Sequence, residues 1–269
     1  MLYGTDEQKK KYLPECCGDN FKAATAAVME PRMDFDASSL KTTAVLEGGE
    51  YVLNGEKCFV PLAGQSDNIL VFAQVSKGAG YSGVDGFIVP KKTSGVKVSA
   101  KEKNLGLKAL ETNEITLKDV HIPKENRLGG ERRCEYLKLM DASRIALSSL
   151  AIGMARAAYD YSREYAKQRV AFGEPIASRQ AIAFMLAEMA IEIDATRLLV
   201  WEAAWKLDRG EECTKEAYLT KRYAADMVMK VSDRSVQILG GHGYIREYPV
   251  ELYMRNARGF ATFEGMVMV

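Results

Sequence analysis

A single carboxylate, Glu264, lies in an otherwise apolar stretch near the end of the chain, Phe260-Ala261-Thr262-Phe263-Glu264-Gly265. Apolar neighbours exclude water and raise the proton affinity of a carboxylate, which suits it to accept a proton from a weak carbon acid. Gly265 beside it allows other atoms to approach closely. On residues alone the alternative is a solvated glutamate in a C-terminal loop.

Composition sets the limits within which such a base could act. The chain has 269 residues, of which 47% are hydrophobic and 27% charged, enough for one large core or two smaller ones. The net charge of +1 gives no global field that favours nucleic acid or a membrane surface. No apolar run has the length of a membrane span, and Met1 to Lys11 turns polar and lysine-rich at once, unlike a secretory signal. We therefore expect a cytoplasmic protein.

The cysteines and histidines favour neither a metal site nor a histidine-based catalytic group. The five cysteines include no pair at the two-residue spacing of zinc or redox sites, so reduced and mostly buried thiols are expected. The two histidines, His121 and His242, stand in unrelated contexts. A histidine triad or a multi-histidine metal site is therefore disfavoured.

The first half of the chain has the pattern of strands, after one short helix. Thr5 followed by Gln8 predicts a capping box, and the helix that it starts is expected to stop at Pro14. From about residue 21 to residue 122, short apolar runs alternate with turn residues, including a predicted turn at Asn54–Gly55. The pattern predicts a small antiparallel β domain.

The second half has helical periodicity. Helices are predicted from about Glu135 to Gln168, from Ser178 to Arg209 and from Lys215 to Leu239, with a short one after Pro249. A four-helix bundle is the expected product. Two stripes at helical spacing are both expected to face the core, one apolar and one of small residues: Ile182, Met185, Met189, Ile193 and Val200, and Ala142, Ala146, Ser149, Gly153 and Ala157.

Three segments together resemble the carboxyl half of acyl-CoA dehydrogenases. They are Arg169 to Gly173 (RVAFG), Gln237 to Val250 (QILGGHGYIREYPV) and the stretch around Glu264, and the resemblance continues back to Met1. It implies an α+β fold in which a small antiparallel β domain precedes a C-terminal four-helix bundle. It also implies that Glu264 removes the proton beside a thioester carbonyl while a flavin accepts the hydride.

Arg169, Phe172 and Gln180 follow the family pattern R-x-x-F-G-x-x-I-x-x-x-Q. The resemblance implies that they contact the dinucleotide part of FAD, usually across a subunit boundary. A guanidinium can bind a pyrophosphate through two hydrogen bonds, and an aromatic ring can stack on adenine. The alternative is that Arg169 is a helix C-terminal cation and Phe172 a core residue.

Gln237, Gly240 and Gly241 match the family's second dinucleotide contact, where glycine lets backbone amides approach the ligand. Taken alone, Gly240-Gly241 could be only a helix C-cap, and His242 reads as a turn residue. The resemblance further implies that Asp141, Arg144 and Gly265 line the acyl-CoA site. For Asp141 and Arg144 a helical salt bridge at i,i+3 remains the alternative.

Around the flavin ring the chain departs from the family. The resemblance implies that Val28 and Met29 contact the flavin, yet where relatives read T-E-P-G-x-G-S-D the chain reads MEPRMDFD from Met29. Where relatives read W-I-T-N-G, the chain reads FVPLA from Phe59 to Ala63. Loss of two flavin-binding hydroxyls would cost about 2 to 3 kcal/mol of binding, which weakens FAD without excluding it.

The resemblance also implies a domain division. Residues 1–20 correspond to the last helix of an N-terminal helical domain, residues 21–125 to the β domain and residues 126–269 to the helical bundle. The expected activity is FAD-dependent dehydrogenation of a fatty acyl-CoA or related thioester, with an electron-transfer flavoprotein as acceptor and a homodimer or homotetramer as assembly. Two alternatives stay open: a non-catalytic subunit that completes another chain's FAD site, and a thioester-binding protein without redox chemistry.

Overall fold

Contacts divide the chain into two units. The computed structural model describes residues 3–19 and 22–263. The first unit, which we call the β unit, contains the described residues up to Lys103 together with Ala109–Met140. The second, the helical unit, contains Asn104–Lys108 and Asp141–Phe263. This grouping by contacts leaves the first helix in the β unit and changes unit at residue 141. The domain boundaries expected after residues 20 and 125 remain predictions.

The β unit is built on one mixed sheet. Its strands are β1 (Thr25–Ala27), β2 (Thr43–Glu47), β3 (Glu50–Pro61), β4 (Asn68–Gln74), β5 (Val84–Pro90), β6 (Val96–Val98) and β7 (Thr112–Pro123). They pair in the order β1-β4-β2-β3-β7-β6, and β5 pairs with β4. Most pairs are antiparallel, as predicted, but both β1 and β2 run parallel to β4, so the sheet is mixed. β2 and β4 both run opposite to β3. Because β4 pairs with β2 rather than with β3, the two paired strands run parallel.

Buried side chains cover both faces of β4. Ile69 and Val71 belong to one apolar cluster of the sheet, whereas Phe72 belongs to a second cluster on the other side. The ring of Tyr136 lies 4.9 Å from that of Phe72 and is itself buried. A strand covered on both faces has a nearly continuous apolar sequence, which is the pattern of Ile69 to Ala73.

The predicted turn at Asn54–Gly55 was wrong. These residues lie inside β3, where the pairing with β7 shifts register between Leu53 and Gly55. The side chain of Asn54 donates to Asp119 Oδ1 at 3.1 Å and accepts from the Asp119 N–H at 2.8 Å. Gly55 has φ +151°, and a Cβ there would lie 2.5 Å from Thr42 Oγ1. The pair therefore forms a bulge, because pairing with β7 on both sides outweighs the local turn preference.

The first helix, α1 (Asp6–Cys16), has the predicted capping box. The Thr5 hydroxyl accepts from the Gln8 N–H at 3.2 Å, and the Gln8 side chain accepts from the Thr5 N–H at 3.1 Å. The predicted stop at Pro14 was wrong, since Pro14 lies within the last turn of the helix. Proline there removes only one hydrogen bond near the end of the helix.

The helical unit contains the predicted bundle. Its helices are α2 (Tyr136–Gln168, whose first turn belongs to the β unit), α3 (Gln180–Asp208), α4 (Thr214–Leu239), α5 (Gly241–Tyr244) and α6 (Val250–Thr262). A two-stranded hairpin of β8 (Val170–Ala171) and β9 (Glu174–Pro175) connects α2 to α3. The three long helices and the one after Pro249 confirm the helices that were predicted from the periodicity of the sequence.

The two stripes expected in the core have different positions. Met189, Ile193 and Val200 of the apolar stripe are buried, as predicted. The small-residue stripe was wrongly placed, because Ala146 and Gly153 lie on an exposed face of α2. The buried face of α2 is instead formed by other small residues such as Ala151, Ala155 and Ala158. Alanine-rich helices offer small residues on several faces, so spacing alone did not identify the buried one.

Candidate functional site

Glu264 and Gly265, predicted as the base and its neighbour, lie outside the described residues. The described chain leads up to them through α6, which ends at Thr262. Phe263 caps this helix with its N–H bonded to the Gly259 carbonyl at 3.0 Å, and its side chain is buried. A buried ring therefore directly precedes Glu264, although Ala261 and Thr262 before it are exposed. The catalytic role of Glu264 stays a prediction.

The loop segment Asn104–Lys108 packs against α6. The Leu107 N–H donates to Asn256 Oδ1 at 2.7 Å. A Cβ at Gly106 would lie 2.0 Å from the Arg255 carbonyl oxygen, and one at Gly259 would lie 2.5 Å from Leu107 Cδ1. Only glycine fits at position 106, where the neighbouring atom is backbone, whereas at position 259 the Leu107 side chain would have to move. The loop and the helix thus pack backbone against backbone immediately before the segment that carries Glu264.

Arg169 and Phe172 lie on the hairpin that follows α2. The Arg169 carbonyl accepts from the Ile176 N–H at 2.9 Å, which closes the hairpin. Phe172, at φ +55°, has a ring that is 95% exposed, with the Arg179 guanidinium 5.8 Å from its centre. The alternative that Phe172 is a core residue was therefore wrong. Arg169 is exposed and makes no salt bridge within the described part of the chain.

Gln237, Gly240 and Gly241 lie where α4 ends. Gly240 caps the helix, with its N–H bonded to the Gln237 carbonyl at 3.1 Å and with φ +58° and ψ −131°. A Cβ at Gly240 or Gly241 would meet nothing within 4 Å, so this backbone is open to a ligand. Gln237 and Gln180, the latter at the start of α3, are both exposed. The C-cap role and an open approach for a ligand therefore coexist here.

A cluster of three rings joins these two segments. Tyr165 Oη lies 2.7 Å from His242 Nδ1, and the His242 ring stacks on Tyr248 at 4.7 Å between centroids. Tyr165 lies one helical turn before Arg169, and its carbonyl accepts the Arg169 N–H at 2.8 Å. Burial raises the pKa of Tyr165, which Arg169 partly opposes. Sequence reasoning missed Tyr165 and Tyr248. The four-residue spacing between Tyr165 and Arg169 was the available signal, because it places these two residues near the same end of α2.

These features of the helical unit fit the dinucleotide part of FAD. An exposed guanidinium can bind a pyrophosphate, and an exposed aromatic ring can stack on adenine. A glycine turn without side chains lets backbone amides approach the phosphates. The donor set and the open turn therefore match the group that the sequence predicted, and the ring cluster keeps Arg169 and Gly240 at one end of the unit.

In the β unit, Val28 and Met29 follow directly after β1. Val28 is buried and Met29 is partly exposed. Their carbonyls both accept hydrogen bonds from β3, that of Val28 from Lys57 Nζ at 2.9 Å and that of Met29 from the Cys58 N–H at 3.0 Å. With no hydroxyl on either side chain, any polar contact to a flavin from these two residues comes from the backbone.

Asp141 and Arg144 form a buried pair on α2. Arg144 Nη1 lies 3.6 Å from Asp141 Oδ1, and the Thr214 hydroxyl donates to Asp141 Oδ2 at 2.7 Å. Burial raises the pKa of Asp141, which Thr214 and Arg144 partly oppose. The helical salt bridge is therefore present. Because both side chains are almost fully buried, the predicted contact with substrate remains a proposal.

The described residues contain no metal-binding cluster and no membrane-spanning helix. Among them, no group of histidine, cysteine, aspartate and glutamate side chains could hold a metal ion. No helix in the same residues has the length and apolarity to cross a membrane. Cys58, Cys134 and Cys213 are buried free thiols, and Cys17 is an exposed one.

Family models assign the class of the chain. The model described as "Acyl-CoA dehydrogenase, middle domain" matches residues 25–120. The model described as "Acyl-CoA dehydrogenase, C-terminal domain" matches residues 136–267. Together with the relatives that follow, these matches show that the chain belongs to the acyl-CoA dehydrogenase family, as the sequence motifs predicted.

Individual relatives cover nearly the whole chain. An acyl-CoA dehydrogenase of Bacillus subtilis (strain 168) is 40% identical over 268 aligned positions, and the alignment covers 98% of this chain and 70% of the relative. Subunit CarC of the caffeyl-CoA reductase–Etf complex of Acetobacterium woodii is 40% identical over 271 aligned positions, and the alignment covers 100% of this chain and 71% of that protein. The solved structure of butyryl-CoA dehydrogenase from Megasphaera elsdenii superposes with a TM-score of 0.87 at 38% identity, covering 99% of this chain and 70% of the other. The predicted fold class is thereby confirmed.

Proposed function

We propose that this chain is an FAD-dependent dehydrogenase that oxidises the α,β bond of an acyl-CoA thioester. The observation that carries the proposal is the Tyr165–His242 hydrogen bond. In a member of this family it joins the exposed Arg169–Phe172 hairpin to the open Gly240 turn. These are the groups that a flavin dinucleotide needs at one end of the helical unit.

Each part of the chain has its own task. Arg169 neutralises the pyrophosphate, Phe172 stacks on the adenine, and Gln180 and Gln237 donate to the dinucleotide at its edges. Gly240 and Gly241 present backbone amides. When bound, FAD supplies the acceptor for the hydride that leaves the β carbon.

Glu264 is the proposed base for the α proton. Phe260 and Phe263 are buried, so two apolar rings lie on the segment that leads to Glu264, while Ala261 and Thr262 between them are exposed. A carboxylate in such surroundings holds a proton more tightly, which raises its strength as a base toward a weak carbon acid. Gly265 leaves room beside it for the thioester.

The first test is the visible absorption spectrum of the purified chain with and without added FAD, followed by anaerobic titration with acyl-CoAs. A flavin band that bleaches with one acyl-CoA would support the dehydrogenase. Butyryl-CoA, longer saturated acyl-CoAs and aryl-propionyl-CoAs form the series, because the relatives named above act on butyryl-CoA and caffeyl-CoA. A chain that never takes up FAD alone but does so with a partner would instead support the non-catalytic subunit.

The second test is Glu264→Gln. We expect turnover to fall about 10²- to 10⁴-fold, the usual contribution of a general base, with FAD binding retained. Glu247→Gln is the matched control, because Glu247 is exposed and precedes α6. Normal turnover in Glu264→Gln would contradict the assigned base.

Electron transfer and assembly complete the proposal. An electron-transfer flavoprotein is the proposed acceptor, supported by the Etf complex of the Acetobacterium woodii relative. A homodimer or homotetramer is supported by a row of exposed apolar side chains seven residues apart on α3: Phe184, Ile191, Leu198 and Trp205. A cytoplasmic location is the remaining part of the proposal, and cell fractionation tests it.

A further inference from the structure

Lys57, on β3, is a lysine with no solvent exposure at all. Its ammonium group donates to the Val28 carbonyl at 2.9 Å and to Glu30 Oε1 at 3.1 Å. Glu30 is itself buried. Lysine is almost never fully buried unless it is paired, because its charge loses its hydration. A buried lysine in the β unit therefore calls for a structural or functional reason.

The partner carboxylate is held by three segments of the β unit. Its two oxygens accept the N–H groups of Lys41 and Thr42, each at 2.8 Å, and the Arg32 Nε at 3.1 Å. With Lys57 added, the carboxylate has four donors. These four hydrogen bonds hold the Glu30 carboxylate in place, and its bond to Lys57 positions the ammonium group.

Lys57 acts where regular strand pairing ends. The parallel pairing of β1 with β4 runs only as far as Ala27, paired with Val71. Beyond it, the Val28 carbonyl is bonded by Lys57 and the Met29 carbonyl by the Cys58 N–H. The backbone of these two residues is thus held by Lys57 and Cys58, two consecutive residues of β3, beyond the point where the pairing of β1 with β4 ends.

The same two residues are the predicted flavin contact of the β unit. Neither carries a hydroxyl, so the position of their backbone decides how well they can receive the ring. Burial lowers the pKa of Lys57 to about 8, against the opposing effect of Glu30. The ammonium is therefore still charged near neutral pH.

We propose that Lys57 is a positioning residue for the flavin, which holds the backbone of Val28 and Met29 through its bonds to the Val28 carbonyl and to Glu30. The inference rests on the proposed function, because it requires that the chain binds FAD. It extends that function to a residue that does not itself contact the ligand.

Lys57→Met tests the inference, since methionine fills most of the volume without the charge or the donors. We expect its FAD dissociation constant, measured by flavin fluorescence quenching, to rise about ten-fold or more, with a changed visible circular dichroism of the bound flavin. Asp85→Asn is the matched control, because Asp85 is equally buried in the β unit, where Arg127 and Arg133 pair with it. We expect it to lower the melting temperature of the apoprotein while leaving FAD affinity and dichroism unchanged.

Three outcomes would overturn the inference. One is wild-type affinity and dichroism in Lys57→Met, and another is an equal loss of affinity in Asp85→Asn, which would show a general effect of stability. The third is a wild-type chain that binds no FAD, which would overturn the proposed function as well and is recognised before any variant is made. If Lys57→Met does not fold, Glu30→Gln decides, because its amide oxygen still accepts one of the two backbone N–H groups while the charge that holds Lys57 is removed. A raised FAD dissociation constant in Glu30→Gln would support the inference, and wild-type affinity would overturn it.

Discussion

Tyr165 Oη and His242 Nδ1 lie 2.7 Å apart, 77 residues apart in the chain. This bond connects the last turn of α2 before Arg169 with the turn that contains Gly240 and Gly241. Stacking of His242 on Tyr248 fixes the imidazole plane from the other side. Two short segments that are predicted to contact the dinucleotide, and that are remote in sequence, are thereby linked through side chains.

We therefore predict that Tyr165→Phe weakens FAD binding several-fold, because the hairpin and the glycine turn lose their connection. The free energy of unfolding should fall by about 1 kcal/mol, the usual net value of one hydrogen bond. Denaturant unfolding and FAD titration measure the two effects. Tyr223→Phe is the matched control, since it removes a 2.7 Å hydrogen bond to Glu192 elsewhere in the helical unit. Equal FAD affinity in both variants would contradict the prediction.

Phe172→Ala should separate binding from stability. The ring is 95% exposed, so its removal should change the free energy of unfolding by less than about 0.5 kcal/mol. Loss of stacking on adenine should cost about 1 to 3 kcal/mol of FAD binding. Phe172→Tyr keeps the ring and should keep the affinity, whereas Phe72→Ala, in the core, should cost about 3 to 5 kcal/mol of stability. A large loss of stability in Phe172→Ala would show that the ring is covered.

The exposure of Phe172 also illustrates the limit of sequence reasoning. The long helices were predictable to within about two residues, because periodicity over many turns averages out local preferences. Phe172 is apolar, however, and residue type alone cannot distinguish a ring that is buried in the core from an exposed ring that can bind a ligand. Asn54–Gly55 failed for a related reason, since the pairing of β3 with β7 that makes it a bulge is a contact between distant segments. Tyr165 was missed because its partner His242 lies on another helix.

Lys57 should make stability depend on pH in a defined direction. Its pKa is about 8 in the folded chain against an ordinary value of 10.5. Between these values the unfolded chain binds more protons, so the free energy of unfolding contributed by Lys57 rises with pH, by on the order of 3 kcal/mol in total. The contribution is complete above the unfolded value and is lost as the pH falls through about 8.

The measurement is the difference in unfolding free energy between wild type and Lys57→Met, followed from pH 7 to about pH 10.5. The difference is needed because burial raises the pKa of Cys58 from 9.0 to about 11, and that thiol lowers stability as the pH rises above 9.0. Subtraction removes the part of this effect that the two proteins share. A difference that is flat or falls with pH would show that Lys57 is not charged and buried as described.

The last prediction concerns the assembly of the chain and rests on the exposed apolar row on α3. Ile191 and Leu198 lie seven residues apart, so they occupy nearly the same face of the helix, and both are more than half exposed. An apolar row of this kind on a helix that already buries its other face is typical of a contact between chains. A charge placed in such a contact loses its hydration without a partner. The double variant Ile191→Glu, Leu198→Glu should therefore have a lower mass than wild type by size-exclusion chromatography with light scattering.

Val45→Glu with Leu46→Glu is the matched control, because these two residues are also apolar and exposed but belong to β2 in the β unit. It adds the same charge and should leave the mass unchanged. If the hairpin bearing Arg169 and Phe172 serves the FAD of a partner chain, as the family resemblance implies, the α3 variant should also lose FAD affinity. Its affinity should then recover at high protein concentration. Dissociation without any change in FAD affinity would place the whole dinucleotide site within one chain.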